Sequence, residues 1–132
     1  MSELNGKVAI VTGSARNIGR AIALDLARAG TAVVVTAQKS AEEAQATADA
    51  ITTAGGRAVV HLADVTQEKD AAALVDAALK VFGRLDCLVN NAAVRRETPF
   101  AELTLAEWRE VNGIIIDGAF LMVKAALPAL PK

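Results

Sequence analysis

Short, nearly unbroken apolar runs recur along the chain at residues 8–12, 32–36, 58–62 and 86–90. Runs that do not alternate with polar residues suit strands covered on both faces. The stretches between them have a helical period. After the first run, Ile18, Ile22, Leu26 and Ala29 fall on one face. A second helix is expected from Ser40-Ala41-Glu42-Glu43, a capping-box pattern, to the Gly55-Gly56 stop. A third is expected over 66–82, with Leu74, Ala78 and Phe82 on one face and Gly83 as its C-terminal stop. The fourth opens with Thr104-Leu105-Ala106-Glu107, again a capping box, and continues towards Leu127 before Pro128.

Strand and helix in strict alternation predict an α/β fold: a doubly wound, Rossmann-type parallel sheet with right-handed crossovers and strand order 3-2-1-4. Strands 1 and 4 then flank the switch point, the crevice where a ligand sits. The sheet is expected to be incomplete. Strand 4 forms an edge with neither proline nor inward charge to protect it. The last helix, with Ile114, Ile115, Ile116, Phe120, Leu121 and Met122, is apolar on more than one face. Residues 1–132 are therefore expected to be the N-terminal part of a single Rossmann domain in a longer protein.

The segment Thr12-Gly13-Ser14-Ala15-Arg16-Asn17-Ile18-Gly19 joins strand 1 to helix 1. A glycine-rich turn so placed brings bare backbone and a helix N-terminus to a phosphate. Gly13 permits the sharp turn, Asn17 tolerates a positive φ where a second glycine would be usual, and Gly19 allows close packing. Glycines also mark ordinary turns, but the strand before and the periodic helix after supply the context that phosphate binding requires. No Gly-Lys-Ser/Thr follows, which excludes a P-loop. At the tip of strand 4, Asn90-Asn91-Ala92-Ala93 should face this turn.

Composition narrows the field. The 132 residues are 53% apolar with a formal charge of −1, and no basic stripe suggests a nucleic-acid partner. Asp117 and Lys124 interrupt the most apolar stretch, against a membrane span, and residues 1–5 do not resemble a signal peptide. The single cysteine, Cys87, fits a reducing cytoplasm and reads as a small buried hydrophobe.

With these features together, the chain resembles the short-chain dehydrogenase/reductase family, and bacterial members similar to 3-oxoacyl-carrier-protein reductases in particular. TGSARNIG at 12–19, Asp64-Val65 after strand 3, Asn90-Asn91-Ala92-Ala93 and the spacing from Trp108 to Phe120 carry the likeness. The resemblance implies a nicotinamide cofactor, with Asp64 and Val65 near the adenine and Asn91 and Ala92 near the nicotinamide half. It also implies a carbonyl or alcohol substrate and a homo-oligomer, with a Ser and a Tyr-x-x-x-Lys pair further along. This chain has no tyrosine, and the position of the family's relay asparagine falls on Ile115, with Asn112 out of register. On its own it is expected to bind cofactor poorly and to catalyse nothing.

Coenzyme choice is readable at the end of strand 2. NAD enzymes place an acid there, about 20 residues after the turn, for the ribose 2′-hydroxyl. Here the segment is Thr36-Ala37-Gln38-Lys39, with Ala37 at the acid position. Arg16 and Lys39 supply positive charge, so NADP(H) is expected over NAD. The expected cofactor residues are thus Gly13, Ser14, Arg16, Asn17, Ile18, Gly19, Gln38, Lys39, Asp64, Val65, Asn91 and Ala92.

Other polar residues have plainer readings. His61 is expected half-buried in strand 3, and Arg95 and Arg96 form a solvated loop pair near Glu97. Glu42, Glu43, Glu68 and Asp70 favour helix dipoles. Trp108 should anchor the fourth helix to the sheet, and a face with Ile114, Gly118 and Met122 is an alternative surface for a second subunit. A non-catalytic dinucleotide sensor is the rival reading. A methyltransferase-like domain would want an acid after strand 2.

Overall fold

The computed structural model describes residues 3–132. Its strands are β1 Val8–Val11, β2 Ala32–Val35, β3 Ala58–Val60 and β4 Cys87–Val89. They form one parallel sheet in the order β3-β2-β1-β4, as the sequence predicts. β1 and β2 are buried throughout, as expected for the two central strands, whereas β3 and β4 at the edges are half-buried.

The helices cover both faces. α1 (Asn17–Arg28) and α2 (Ala41–Thr53) pack on one side. There Val11, Val33 and Val35 meet Ala23, Ala44, Ala48 and Ile51. α3 (Glu68–Phe82) and α5 (Gly118–Ala126) cover the other. Val8, Ile10 and Val34 pack there against Leu74, Ala78, Met122 and Ala126. Alternation along each strand sends neighbouring side chains to these opposite layers.

Helix ends follow the sequence in part. Gly83 closes α3 in the left-handed conformation (φ 80°), and Thr104 caps α4 (Leu105–Asn112) by accepting from the Glu107 amide. The Ser40 capping box does not form. The chain enters α2 through a tight turn, Ala41 N to Lys39 O at 2.8 Å, and the Ser40 hydroxyl makes no cap bond.

The fourth helix departs most from expectation. It is interrupted by a π-helical segment at Gly113–Asp117 before α5 resumes. One inserted residue rotates everything after it by about 100° around the axis, one residue's share of a 3.6-residue turn. Gly118, Met122 and Ala126 therefore face the sheet, and Met122 is fully buried. That overturns the reading of Ile114, Gly118 and Met122 as an outer surface. Trp108 is 53% exposed and does not anchor the helix. The outward apolar side chains are instead Ile116, Phe120, Val123 and Leu127. No helix among the described residues is long and apolar enough to cross a membrane.

Candidate cofactor site

The turn after β1 and the tip of β4 are locked to each other. Thr12 Oγ1 accepts from the backbone amides of Asn91 and Ala92, each at 2.9 Å. In return, Asn91 Nδ2 donates to the carbonyls of Thr12 and Gly13 at 3.1 and 3.2 Å. Strand alternation explains why this asparagine does so: Val89 and Asn91 point to the α1 side. Asn90, in phase with Leu88, points to the α5 side, where its side chain has no hydrogen-bond partner among the described residues.

The turn itself is tight. Gly13 (φ 65°) and Asn17 (φ 54°) are left-handed, as expected. At Gly19 a Cβ would overlap the Gly13 carbonyl and lie 2.5 Å from Asn91 Nδ2. Gly19 therefore packs on the turn and the Asn91 amide, a closer approach than helix-on-strand packing alone. α1 has neither a side-chain cap nor an acid in its first turn. α2 and α3 carry Glu42, Glu43, Glu68 and Asp70 in theirs, and α4 is capped. Only α1 among these leaves its positive end uncompensated, facing the cleft, which suits an anion such as a phosphate.

A cleft of about 750 Å³ runs along the C-terminal ends of the strands. Of the expected cofactor residues, Gly13, Arg16, Asn17, Ile18, Gly19, Gln38, Lys39, Asp64, Val65, Asn91 and Ala92 all line it. Ser14 does not. Its side chain is buried behind the wall, with the hydroxyl donating to Val11 O at 2.7 Å and accepting from Thr36 N at 2.9 Å. Ala37 lines the cleft where an acid would stand. Asp64 is engaged: Oδ1 accepts from Thr66 N and Oγ1, and Oδ2 from Gln38 Nε2 at 3.3 Å. Arg16 lies 3.6 Å from Glu43, and the Lys39 ammonium pairs with no carboxylate among the described residues.

A smaller crevice of about 280 Å³ adjoins it between the β4 tip and the π segment. Thr12, Asn90, Ile114, Ile115, Gly118 and Ala119 contribute to its lining. Ile115 thus presents an apolar side chain where the resemblance implies an asparagine. Asn112 donates to the Trp108 carbonyl of its own helix at 2.9 Å and lines neither cavity. At the rim, Arg95 pairs with Glu97 as expected, whereas Arg96 pairs with Glu110 of α4. His61 extends β3, donating to Val35 O, and lies outside the cleft. Half-burial, with the Asp86 charge beside it, pushes the Cys87 thiol pKa up.

Sequence reasoning missed Thr12 as a structural hinge of the site. A threonine at the last position of a buried strand was the available signal. It also missed Thr47, buried on α2, whose hydroxyl donates to the Ala15 carbonyl at 3.1 Å and accepts from Arg20.

A doubly wound sheet with a glycine turn and an uncompensated helix N-terminus at its switch point defines a Rossmann-type fold. Comparison with known proteins makes the assignment specific. The short chain dehydrogenase family model matches residues 7–132, and the chain belongs to that family. It is 46% identical over 126 residues to an uncharacterised oxidoreductase of Methylorubrum extorquens, covering 96% of this chain and 51% of the relative. A dehydrogenase/reductase from Sinorhizobium meliloti superposes with a TM-score of 0.93 at 38% identity, over 97% of this chain and 51% of that one. A hydroxysteroid dehydrogenase from Escherichia coli gives 0.89 at 35%, over 96% and 53%. The chain spans about half the length of the relatives it matches.

Proposed function

We propose that residues 1–132 form the cofactor-binding part of an NADP(H)-dependent oxidoreductase that moves a hydride between nicotinamide and a carbonyl or alcohol carbon. The observation that carries this is the turn at 12–19: a glycine cradle that a Cβ would fill, at an uncompensated helix end, pinned opposite Asn91. In this reading the α1 N-terminus and the backbone of Gly13 and of Asn17, Ile18 and Gly19 hold the pyrophosphate. Asp64 and Val65 border the adenine, and Asn91 and Ala92 border the nicotinamide half. Bound NADP(H) supplies the hydride. The chain contains no tyrosine, so no tyrosine within these residues exchanges the proton.

Ala37 at the end of β2, with Arg16 and Lys39 on the same wall, favours a 2′-phosphate. A carboxylate at position 37 would repel it. Ile116, Phe120 and Val123 offer an apolar face for a second subunit of a cytoplasmic homo-oligomer.

Titration of the complete protein with each coenzyme tests the reading. NADPH is expected to bind at least about tenfold tighter than NADH, a difference of about 1.4 kcal/mol. Equal or tighter NADH binding overturns the coenzyme assignment, and binding of neither overturns the cofactor site.

A further inference from the structure

One buried group stands between the two segments that carry the cleft's cations. Arg16 lies on the turn after β1, and Lys39 follows β2. The β1–β2 ladder ends at the pair Val11 and Val35, so neither cation is on a hydrogen-bonded strand. Beyond the ladder, Ser14 takes over. Its amide donates to Thr36 O at 2.9 Å, its hydroxyl accepts from Thr36 N at 2.9 Å, and the same hydroxyl donates to Val11 O at 2.7 Å. A serine hydroxyl has one proton, and here it is committed to Val11 while its oxygen holds Thr36. The Thr36 hydroxyl, also buried, has no partner and contributes nothing to the junction.

We infer that Ser14 is a positioning residue for coenzyme selectivity. It fixes the turn bearing Arg16 against the β2 tip bearing Lys39, so that both cations address one 2′-phosphate. Ser14 does not touch the ligand: it is fully buried and lies behind the cleft wall. Without its hydroxyl, the Thr36 amide loses its acceptor and Ser14 keeps only its backbone bond to Thr36, while Ala63 N still holds Ala37 O from the β3 side. With one bond across the junction instead of two, the cations spread over more positions, and a point phosphate is sensitive to their spacing. Val65, Asn91 and Ala92 take part in none of the Ser14 hydrogen bonds. This inference rests on the NADP(H) reading proposed above.

The test is a double-mutant cycle in the full-length protein, with steady-state kinetics on NADPH and NADH. Ser14→Ala is expected to raise KM for NADPH about fivefold, to move KM for NADH less than about twofold, and to leave kcat unchanged. In an Arg16→Ala/Lys39→Ala background, the same substitution should have no further effect on the NADPH:NADH ratio, because nothing remains to be positioned. Ser14→Cys keeps the volume with a weaker hydrogen-bonding group and should fall between the two, and it carries the test if the alanine variant does not fold. An equal shift with both coenzymes, or a selectivity loss that persists in the doubly substituted background, overturns the inference and leaves the cofactor reading standing. A wild-type protein with no preference for NADPH overturns both.

Discussion

The two ends of the parallel sheet solve one structural problem with different chemistry. At each end β1 must be held to β4 beyond the last ladder hydrogen bond. At the C-terminal end Thr12 and Asn91 do it with neutral groups, four hydrogen bonds crossing between the turn and the β4 tip. At the N-terminal end a charge does it. Asp86 Oδ2 accepts from Val8 N at 2.9 Å, and Arg84 grips both carboxylate oxygens at 2.8 and 2.7 Å. A neutral lock leaves the field of the α1 N-terminus free for a ligand's charge, whereas a carboxylate beside it would compete with phosphate. The end that binds is held by amides and a hydroxyl, and the end that only has to be stable can use an ion pair.

Substitutions should separate the two ends. The largest effect is expected at Gly19, where an added methyl overlaps the Gly13 carbonyl and crowds Asn91 Nδ2, so the turn and the lock must both move. Gly19→Ala should weaken dinucleotide binding by about 100-fold or more, with a stability loss of about 1–3 kcal/mol from overpacking. Calorimetric titration and chemical denaturation measure the two terms. Retained binding would show that the cradle is not where the ligand sits.

Thr12→Val comes next. It keeps the shape and leaves the Asn91 and Ala92 amides without their acceptor, at a cost of about 2–4 kcal/mol in stability. Binding should fall with it, about tenfold, because Asn91 and Ala92 line the cleft. Thr12→Ser should restore both. A variant destabilised to this extent that binds normally would separate the lock from the site.

At the opposite end, Asp86→Asn should cost about 1.5 kcal/mol, the lower range for hydrogen bonds to a charged group, and leave coenzyme affinity unchanged. Its pH signature is specific. Arg84 holds the Asp86 carboxyl below the ordinary carboxylate range, helped by the Val8 amide, while burial opposes them. A folded-state pKa below the unfolded one means stability that is fully present above about pH 4 and lost as pH falls through the folded value. The gap between wild type and Asp86→Asn should therefore be widest near neutrality and close in acid. A pH-independent gap in urea midpoints would assign the effect to packing.

Much of this was legible from residue order. Continuous apolar runs gave the buried strands, alternation of strand and helix gave the 3-2-1-4 sheet, and the glycine spacing gave the turn. These are local signals, each set by a residue type with a narrow conformational range. What escaped depends on accumulation or on distance. Nothing in Gly113-Ile114-Ile115-Ile116-Asp117 announces a π turn, yet that one extra residue turns α5 by about 100° relative to α4. Trp108, upstream of it, is expected to anchor the helix to the sheet and is exposed instead. Ser14 was placed with the ligand because its neighbours are there; its hydroxyl turns the other way to meet Thr36, a partner 22 residues distant. Hydrogen-bond partners far apart in sequence leave no periodic trace.

The smallest effect sharpens the contrast further, because it compares two glycines of the same conformation. Gly13 (φ 65°) and Gly83 (φ 80°) are both left-handed, one at each end of the sheet. A Cβ on Gly83 would meet nothing within 4 Å, so Gly83→Ala is charged only for its backbone, about 1 kcal/mol, with no change in coenzyme affinity. A Cβ on Gly13 carries the same backbone strain and also presses on Ala92 Cα at 3.1 Å and Asn91 Nδ2 at 3.2 Å. Gly13→Ala should therefore cost more than Gly83→Ala and weaken binding as well. The difference between the two alanine variants isolates what the site adds to a strain that both share. If denaturation and titration found them equal, the approach of the β4 tip to the turn would be looser than these distances imply.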